Sequence, residues 1–349
     1  DFMRVAPMMM PELVDEWFEN KLIRSTISMA GINHLSFGPF AAGTGYNLLH
    51  QHVHGKGVFL NTKFVKGGTG ELAQVLASVA ESNNVEIRTG SKVKSIDVEN
   101  GRCSGISLTG GELIQADRVV SGLDPKNTFM NLVGTSNLNP NFHTQLNNIR
   151  YRGSTARVHF ALNKLPEING ILKDQMKTVF SIGPSIEYQE RASDSVKYGT
   201  IANNPTVEFT IPSLINQKFA PDGKHVLSAT IQYAPYHLRD QVWSSELNEQ
   251  LKNNVVRVLD NYIPDFSSLI EATSVLSPKD LENEFGLTEG NLNHGEMTLD
   301  QFFFMRPTMS TAQYKSPIGN LYLCGSGTHP GGGLHGANGF NAAREMLKG

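Results

Sequence analysis

The sequence predicts an α/β chain in two lobes, one of them α+β. Three observations carry this. Residues 66–122 read as a helix, a three-stranded meander and a short apolar strand. Residues 150–315 hold further strands and an amphipathic helix. Residues 321–347 read as strand, glycine-rich turn and helix. At 349 residues the chain is long enough for two hydrophobic cores.

Residues 1–60 are mixed and partly helical, with Leu13, Trp17, Leu22, Ile23 and Ile27 at roughly helical spacing. A glycine-rich loop follows at 38–45. Gly67-Gly68-Thr69-Gly70 then opens a helix whose apolar face is Leu72, Val75, Leu76 and Val79. Val85-Glu86-Ile87 reads as a strand. Residues 92–98 and 103–108 flank Asn100-Gly101, and Asn-Gly between alternating runs signals a hairpin. Gly110-Gly111 turns the chain into a third strand at 112–116, and residues 117–120 return as a short apolar strand. Residues 157–162, 207–211 and 226–233 read as strands. Residues 246–262 form an amphipathic helix, with Leu247, Leu251, Val255, Val258 and Leu259 on one side and Pro264 just past its end. Residues 321–324 are a strand and 338–347 a helix.

Composition excludes some functions. The formal net charge of -3 provides no basic field for nucleic acid. No run of about 18 apolar residues reads as a transmembrane helix, and no signal peptide is visible. Cys103 and Cys324 lie far apart and form no C-x-x-C pair, which suggests a reducing compartment: cytoplasm if bacterial, mitochondrial matrix if eukaryotic.

Seven of the fifteen residues from 325 to 339 are glycine. Glycine lets backbone approach a flat ligand closely. The helix that follows aims free N–H groups and partial positive charge at whatever sits there. An ordinary flexible loop has the same composition, so glycine alone does not decide between them.

The run Leu321-Tyr322-Leu323-Cys324-Gly325-Ser326-Gly327-Thr328-His329-Pro330-Gly331-Gly332-Gly333 closely resembles the closing motif of the phytoene desaturase-like FAD-dependent oxidoreductases. Ser277-Pro278, Leu281-Glu282-Asn283-Glu284-Phe285-Gly286-Leu287, Gly290-Asn291, Met297-Thr298-Leu299-Asp300-Gln301 and Arg306-Pro307 resemble one subgroup. The resemblance runs over essentially the whole chain. It implies FAD, an incomplete FAD/NAD(P)-binding Rossmann-like lobe with a β-meander (63–125 and 316–349), and a mixed-sheet substrate lobe (1–62 and 126–315). It also implies that Val93, Gly325, Ser326, Gly327, Thr328, His329, Gly331, Gly332, Gly333, Leu334, Gly336 and Ala337 bind the cofactor. A helix N-terminus beside a reduced flavin would stabilise its negative charge.

The family opens with a βαβ unit bearing G-x-G-x-x-G. No such unit is read here. Gly325-Ser326-Gly327 has Pro330 where the third glycine belongs, and Gly68-Thr69-Gly70 has Ala73 there. The chain is therefore expected to be a C-terminal fragment that binds FAD poorly and is inactive alone. The parent is expected to move hydride from an apolar isoprenoid- or lipid-like substrate to flavin N5. A flavin-dependent polyene isomerase is the alternative, or a non-catalytic lipid- or partner-binding module if the chain is complete. Peripheral membrane contact stays open, as does oligomeric state.

His329 and His335 are the catalytic candidates, able to polarise substrate or donate to flavin; loop-shaping is the competing role. His50, His52 and His54 would share one face of a strand, but no fourth ligand is near and no metal is expected. His294 is read as a packing residue. Phe302-Phe303-Phe304-Met305 reads as a buried strand, or as rings lining an apolar channel. Glu187, Glu190 and Asp194 read as a solvated loop, and Cys324 as buried.

Overall fold

The computed structural model describes residues 2–52 and 64–348. In chain order the main elements are α1 (Phe2–Val5), α2 (Met10–Asp15), α3 (Lys21–Ile32), α4 (Thr44–His52), α5 (Thr69–Ser82), β1 (Val93–Glu99), β2 (Arg102–Leu108), β3 (Leu113–Gln115), β4 (Val119–Ser121), α6 (Pro140–Asn147), β5 (Thr155–Leu162), β6 (Phe180–Ile182), α7 (Ile186–Tyr198), β7 (Thr206–Thr210), β8 (His225–Gln232), α8 (Ser245–Asp260), α9 (Phe266–Leu269), β9 (Ile270–Leu276), α10 (Pro278–Phe285), β10 (Leu321–Leu323) and α11 (Ala337–Leu347). The fold is mixed α/β. It divides into one unit of residues 1–87 and 153–281 and another of 88–152 and 282–349. Residues 126–152 and 282–315, assigned to the substrate lobe from sequence, group with the meander, and 63–87 group with the first unit.

The first unit is built on a sheet of order β6-β7-β8-β5-β9. Every pairing is antiparallel, where a mixed sheet was expected. One face carries Val158, Phe160, Val207, Phe209, Leu227 and Ile231, all buried against Leu251, Val255, Val258 and Leu259 of α8. Strand alternation and the helical stripe thus meet in one core. Residues 13–27 form two helices rather than one. Asn20 breaks the run by accepting hydrogen bonds from the amides of Leu22 and Ile23, a cap that starts α3.

Three expectations in this unit are corrected. Residues 85–87 are not a strand: Val85 and Ile87 are exposed and join no ladder among the described residues. The apolar face of α5 forms, but Val75, Leu76 and Val79 are exposed and the helix buries no residue. Glu187, Glu190 and Asp194 lie on helix α7, not in a loop. Ser185 caps its start by accepting from the Tyr188 amide, and Gly199 ends it in the left-handed region. Its buried face is Gln189, Ala192, Ser193 and Ser195, so hydrophobic periodicity could not reveal it.

In the second unit, β1, β2 and β3 form the predicted antiparallel meander. Asn100 and Gly101 have φ of 50° and 73°, as the twist-matched two-residue hairpin turn requires. β10 lies parallel to β4, pairing Leu321 with Val119 and Leu323 with Ser121. Ile96, Phe129, Phe142, Leu146, Leu321 and Leu323 share its core. Residues 302–305 are not a strand. Phe303–Met305 make a short 3-10 turn, with Phe302 buried and Phe303 and Phe304 exposed. Cys103 is buried, Cys324 is half-buried rather than buried, and both are free thiols.

Candidate functional site

The site lies within the second unit, where β10 ends and α11 begins. Leu321, Tyr322 and Leu323 are all buried, which fixes the strand. Cys324 extends the pairing by donating its amide to the Ser121 carbonyl at 2.9 Å. The chain then presses against the loop after β4. A side chain at Gly325 would clash with the Gly122 carbonyl, and one at Gly327 would sit 2.7 Å from Pro125 Cδ. Gly331 and Gly332 are likewise crowded, by Met297 and Asn293. These glycines are required by packing of the protein on itself. Around Gly336 and Gly339, by contrast, a Cβ would meet nothing within 4 Å.

Asn338 staples the loop. Its side-chain amide donates to the Thr328 carbonyl and hydroxyl, both at 3.0 Å, and to the Gly325 carbonyl at 3.2 Å. The Thr328 hydroxyl in turn donates to the Gly325 carbonyl at 2.8 Å. Arg306, 2% exposed, holds the loop from the other side. Its Nε and Nη2 both donate to the Ser326 carbonyl, at 3.2 and 2.8 Å, and its other N–H groups reach the carbonyls of Asn293, Gly295, Glu296 and Gln301. Beside it, buried Asp124 accepts from Tyr151 and Thr288 hydroxyls and from Asn127. Sequence reading missed Asn338 and Asp124, and took Arg306 only as part of a motif. An arginine closing an apolar run was the available signal.

The two histidine candidates differ. His335 Nε2 donates to the Gly332 carbonyl at 3.2 Å, and its Nδ1 accepts from the Ala337 amide at 3.1 Å. Both ring nitrogens shape the loop. His329 packs against the rings of Phe302 and Phe303, at centroid distances of 5.5 and 5.7 Å. Tyr314 donates to its carbonyl at 2.7 Å, but its Nδ1 is buried with no partner. Burial, then the Arg306 charge, lowers its pKa, so it is held neutral. His294 also has a buried, unpartnered Nδ1, with its pKa lowered by burial while Asp124 acts in the opposite direction. A groove of about 440 Å³ beside His329 is lined by Phe303, Phe304, Met309, Gln313 and Lys315.

Gly336, in the left-handed region, is the N-cap of α11 and offers no side chain; His335 takes the Ala337 amide, and the first turn holds no acidic residue. Leu334 and Phe340 flank that turn and are mostly exposed. The Asn338 and Gly339 amides of the first turn, open space at Gly336 and Gly339, and the unpartnered His329 Nδ1 fit the electron-rich edge of a flat ring system. Val93 stands apart, opening β1 in the meander and paired with Leu108. The spacing G-x-G-x-x-G does occur, at Gly331, Gly333 and Gly336, which corrects the sequence reading. It begins well past the end of β10, not in the tight strand-to-helix turn that grips a pyrophosphate. His50 and His52 lie on helix α4, about 200° apart around its axis, so they do not share a face; His54 lies outside the described residues. Among the described residues no three metal-ligating side chains come together.

A family model described as flavin containing amine oxidoreductase matches residues 35–347. The chain belongs to that family. Pyridine nucleotide-disulfide oxidoreductase domain-containing protein 2 of Rattus norvegicus is 32% identical over 349 residues, covering 97% of this chain and 60% of the relative. Phytoene desaturase (lycopene-forming) of a Paracoccus species is 27% identical, covering 88% and 58%. The chain thus spans about 60% of the length of these flavin-family relatives. An oxidoreductase from Methanosarcina mazei shares the fold with a TM-score of 0.62 at 15% identity, over 98% of this chain and 68% of that one. No helix among the described residues is long and apolar enough to cross a membrane.

Proposed function

We propose that the chain provides the flavin-facing loop and the substrate-binding part of an FAD-dependent oxidoreductase that takes hydride from an apolar, isoprenoid- or lipid-like substrate. The observation that carries this reading is the start of α11 at an open glycine with no N-cap side chain, with a groove walled in part by Phe303, Phe304 and Met309 beside His329 in the same unit. When bound, FAD supplies the hydride acceptor. The protein supplies the rest. The α11 amides favour negative charge on the ring edge beside them. Asn338 and Arg306 hold the loop in one conformation before anything binds. Phe303, Phe304 and Met309 give the groove apolar walls for an apolar substrate to cover, and neutral His329 can donate or accept one hydrogen bond there.

Supporting this reading are the phytoene desaturase relative and the apolar side chains Phe303, Phe304 and Met309 in the groove wall. Because the pyrophosphate turn is not formed by the glycines present, we further propose that this chain alone holds FAD weakly and is inactive. The test uses the protein as its gene encodes it. Its extracted cofactor should be FAD, and anaerobic mixing with isoprenoid hydrocarbons should bleach the visible flavin band. If dithionite bleaches the band and no isoprenoid or lipid does, the substrate reading is wrong. A flavin band in the purified 349-residue chain would refute the weak-binding claim.

A further inference from the structure

On the face of the five-stranded sheet opposite α8, one end packs through Gln232 on residues 32–35, but the centre is polar and neither packing nor solvation explains it. Strand register places Arg157, Thr230 and Glu208 side by side across β5, β8 and β7, with His159 and Ser228 as the next pair along. Thr210, Ser181, Ala161, Ala272 and Ser274 lie on the same face, with Leu276 beside Arg157 and Val226 beside Ala161 as its larger apolar members. A packing face would carry large apolar side chains, and a solvated one long charged ones. Here short residues surround three functional groups, and Arg157, His159, Ser228, Thr230 and Glu208 are each half-buried.

Arg157 is the centre of this face. Its guanidinium donates to the Thr230 hydroxyl and, at 3.3 Å, to the Ser228 hydroxyl. Among the described residues no carboxylate lies within ion-pair distance of it. Glu208 is close enough for the two charges to influence each other, but it does not close a pair. His159 and His34 feel the same cation, and the Nδ1 of His34 is buried with no hydrogen-bond partner. A partly desolvated cation with donor capacity to spare attracts an anion. The guanidinium fork matches a planar carboxylate, and a single arginine suits one negative charge better than a phosphate dianion.

We infer that this sheet face holds the carboxylate head of an otherwise apolar substrate, with Arg157 as its cation and Thr230 and Ser228 fixing the guanidinium. The inference rests on the lipid-like substrate reading above and narrows it from hydrocarbons to long-chain or isoprenoid acids. Arg157 is thus a specificity residue for the head group.

The test is equilibrium binding to the 349-residue chain of three probes with one tail: oleate, oleyl alcohol and oleyl phosphate. Oleate should bind about tenfold or more tightly than the alcohol, the usual scale of a charge-assisted hydrogen bond. Arg157→Gln should erase that preference and leave alcohol affinity unchanged. Glu208→Gln should strengthen oleate binding by removing a competing carboxylate. If Arg157→Gln does not fold, Arg157→Lys and the pair Ser228→Ala, Thr230→Val replace it, each expected to reduce the preference. Equal binding of oleate and alcohol overturns the proposal, as does preference for the phosphate, loss of both ligands together in the variants, or no binding at all. The assay uses no flavin, so failure here leaves the flavin-bleaching experiment to stand or fall separately.

Discussion

The side-chain amide of Asn338, in the first turn of α11, donates to both the carbonyl and the hydroxyl of Thr328, each at 3.0 Å. One side chain therefore ties the helix start to the loop that precedes it. Asn338→Leu removes these bonds, leaving the Thr328 hydroxyl without its donor and the Thr328 carbonyl with the Gly331 amide alone. The expected loss of stability is about 1–3 kcal/mol, read by urea unfolding. Flavin affinity of the protein as its gene encodes it should fall with it, because the loop must then be ordered on binding.

Arg306 makes a different demand. It is buried and serves the carbonyls of two loop segments at once. Arg306→Met should cost more than about 3 kcal/mol, since several carbonyls lose their donor together. Arg306→Lys should rescue little, because an ammonium lacks the planar fork that reaches Ser326 and Glu296 simultaneously. Chemical denaturation of the three proteins separates these outcomes.

His34 gives a pH dependence. Burial, reinforced by Arg157, lowers its pKa to about 4 in the folded chain. The folded state therefore holds this ring neutral, while the unfolded state protonates it near pH ~6.5. The stabilisation is present above that pH and is lost as pH falls from about 6.5 towards 4. His34→Gln should flatten the stability profile across that window. An unchanged slope would show that other groups set it.

Local turn chemistry made part of the fold legible. Asn100-Gly101 was readable as a hairpin because only a few residues accept positive φ at both central positions. The strand–turn–helix at the end of the chain was readable for the same reason, and its glycines carried the family resemblance. Helix α7 was not readable, because its buried face is glutamine, alanine and serine rather than leucine. The site was legible as a segment but not as a mechanism. Asn338 and Asp124 act through hydrogen bonds to residues 10 to 164 positions away, which no local pattern records. Gly325 proved to be pressed against backbone and Gly327, Gly331 and Gly332 against side chains of the protein itself, a role that composition cannot distinguish from ligand approach.

The hairpin offers a further check. Gly101→Val puts a β-branched residue at φ of 73° and should cost about 1–2 kcal/mol, seen as a lower thermal midpoint. Gly110→Ala, where a Cβ would meet nothing within 4 Å, should cost less.

The central claim is that residues 325–340 form the flavin-facing loop. Amide hydrogen exchange on the protein as its gene encodes it, with and without FAD, tests it most directly. Strong protection on FAD binding is expected at the Asn338 and Gly339 amides, in the first turn of α11 where a Cβ at Gly339 would meet nothing within 4 Å. Bound FAD with unchanged exchange across 325–340 would contradict it.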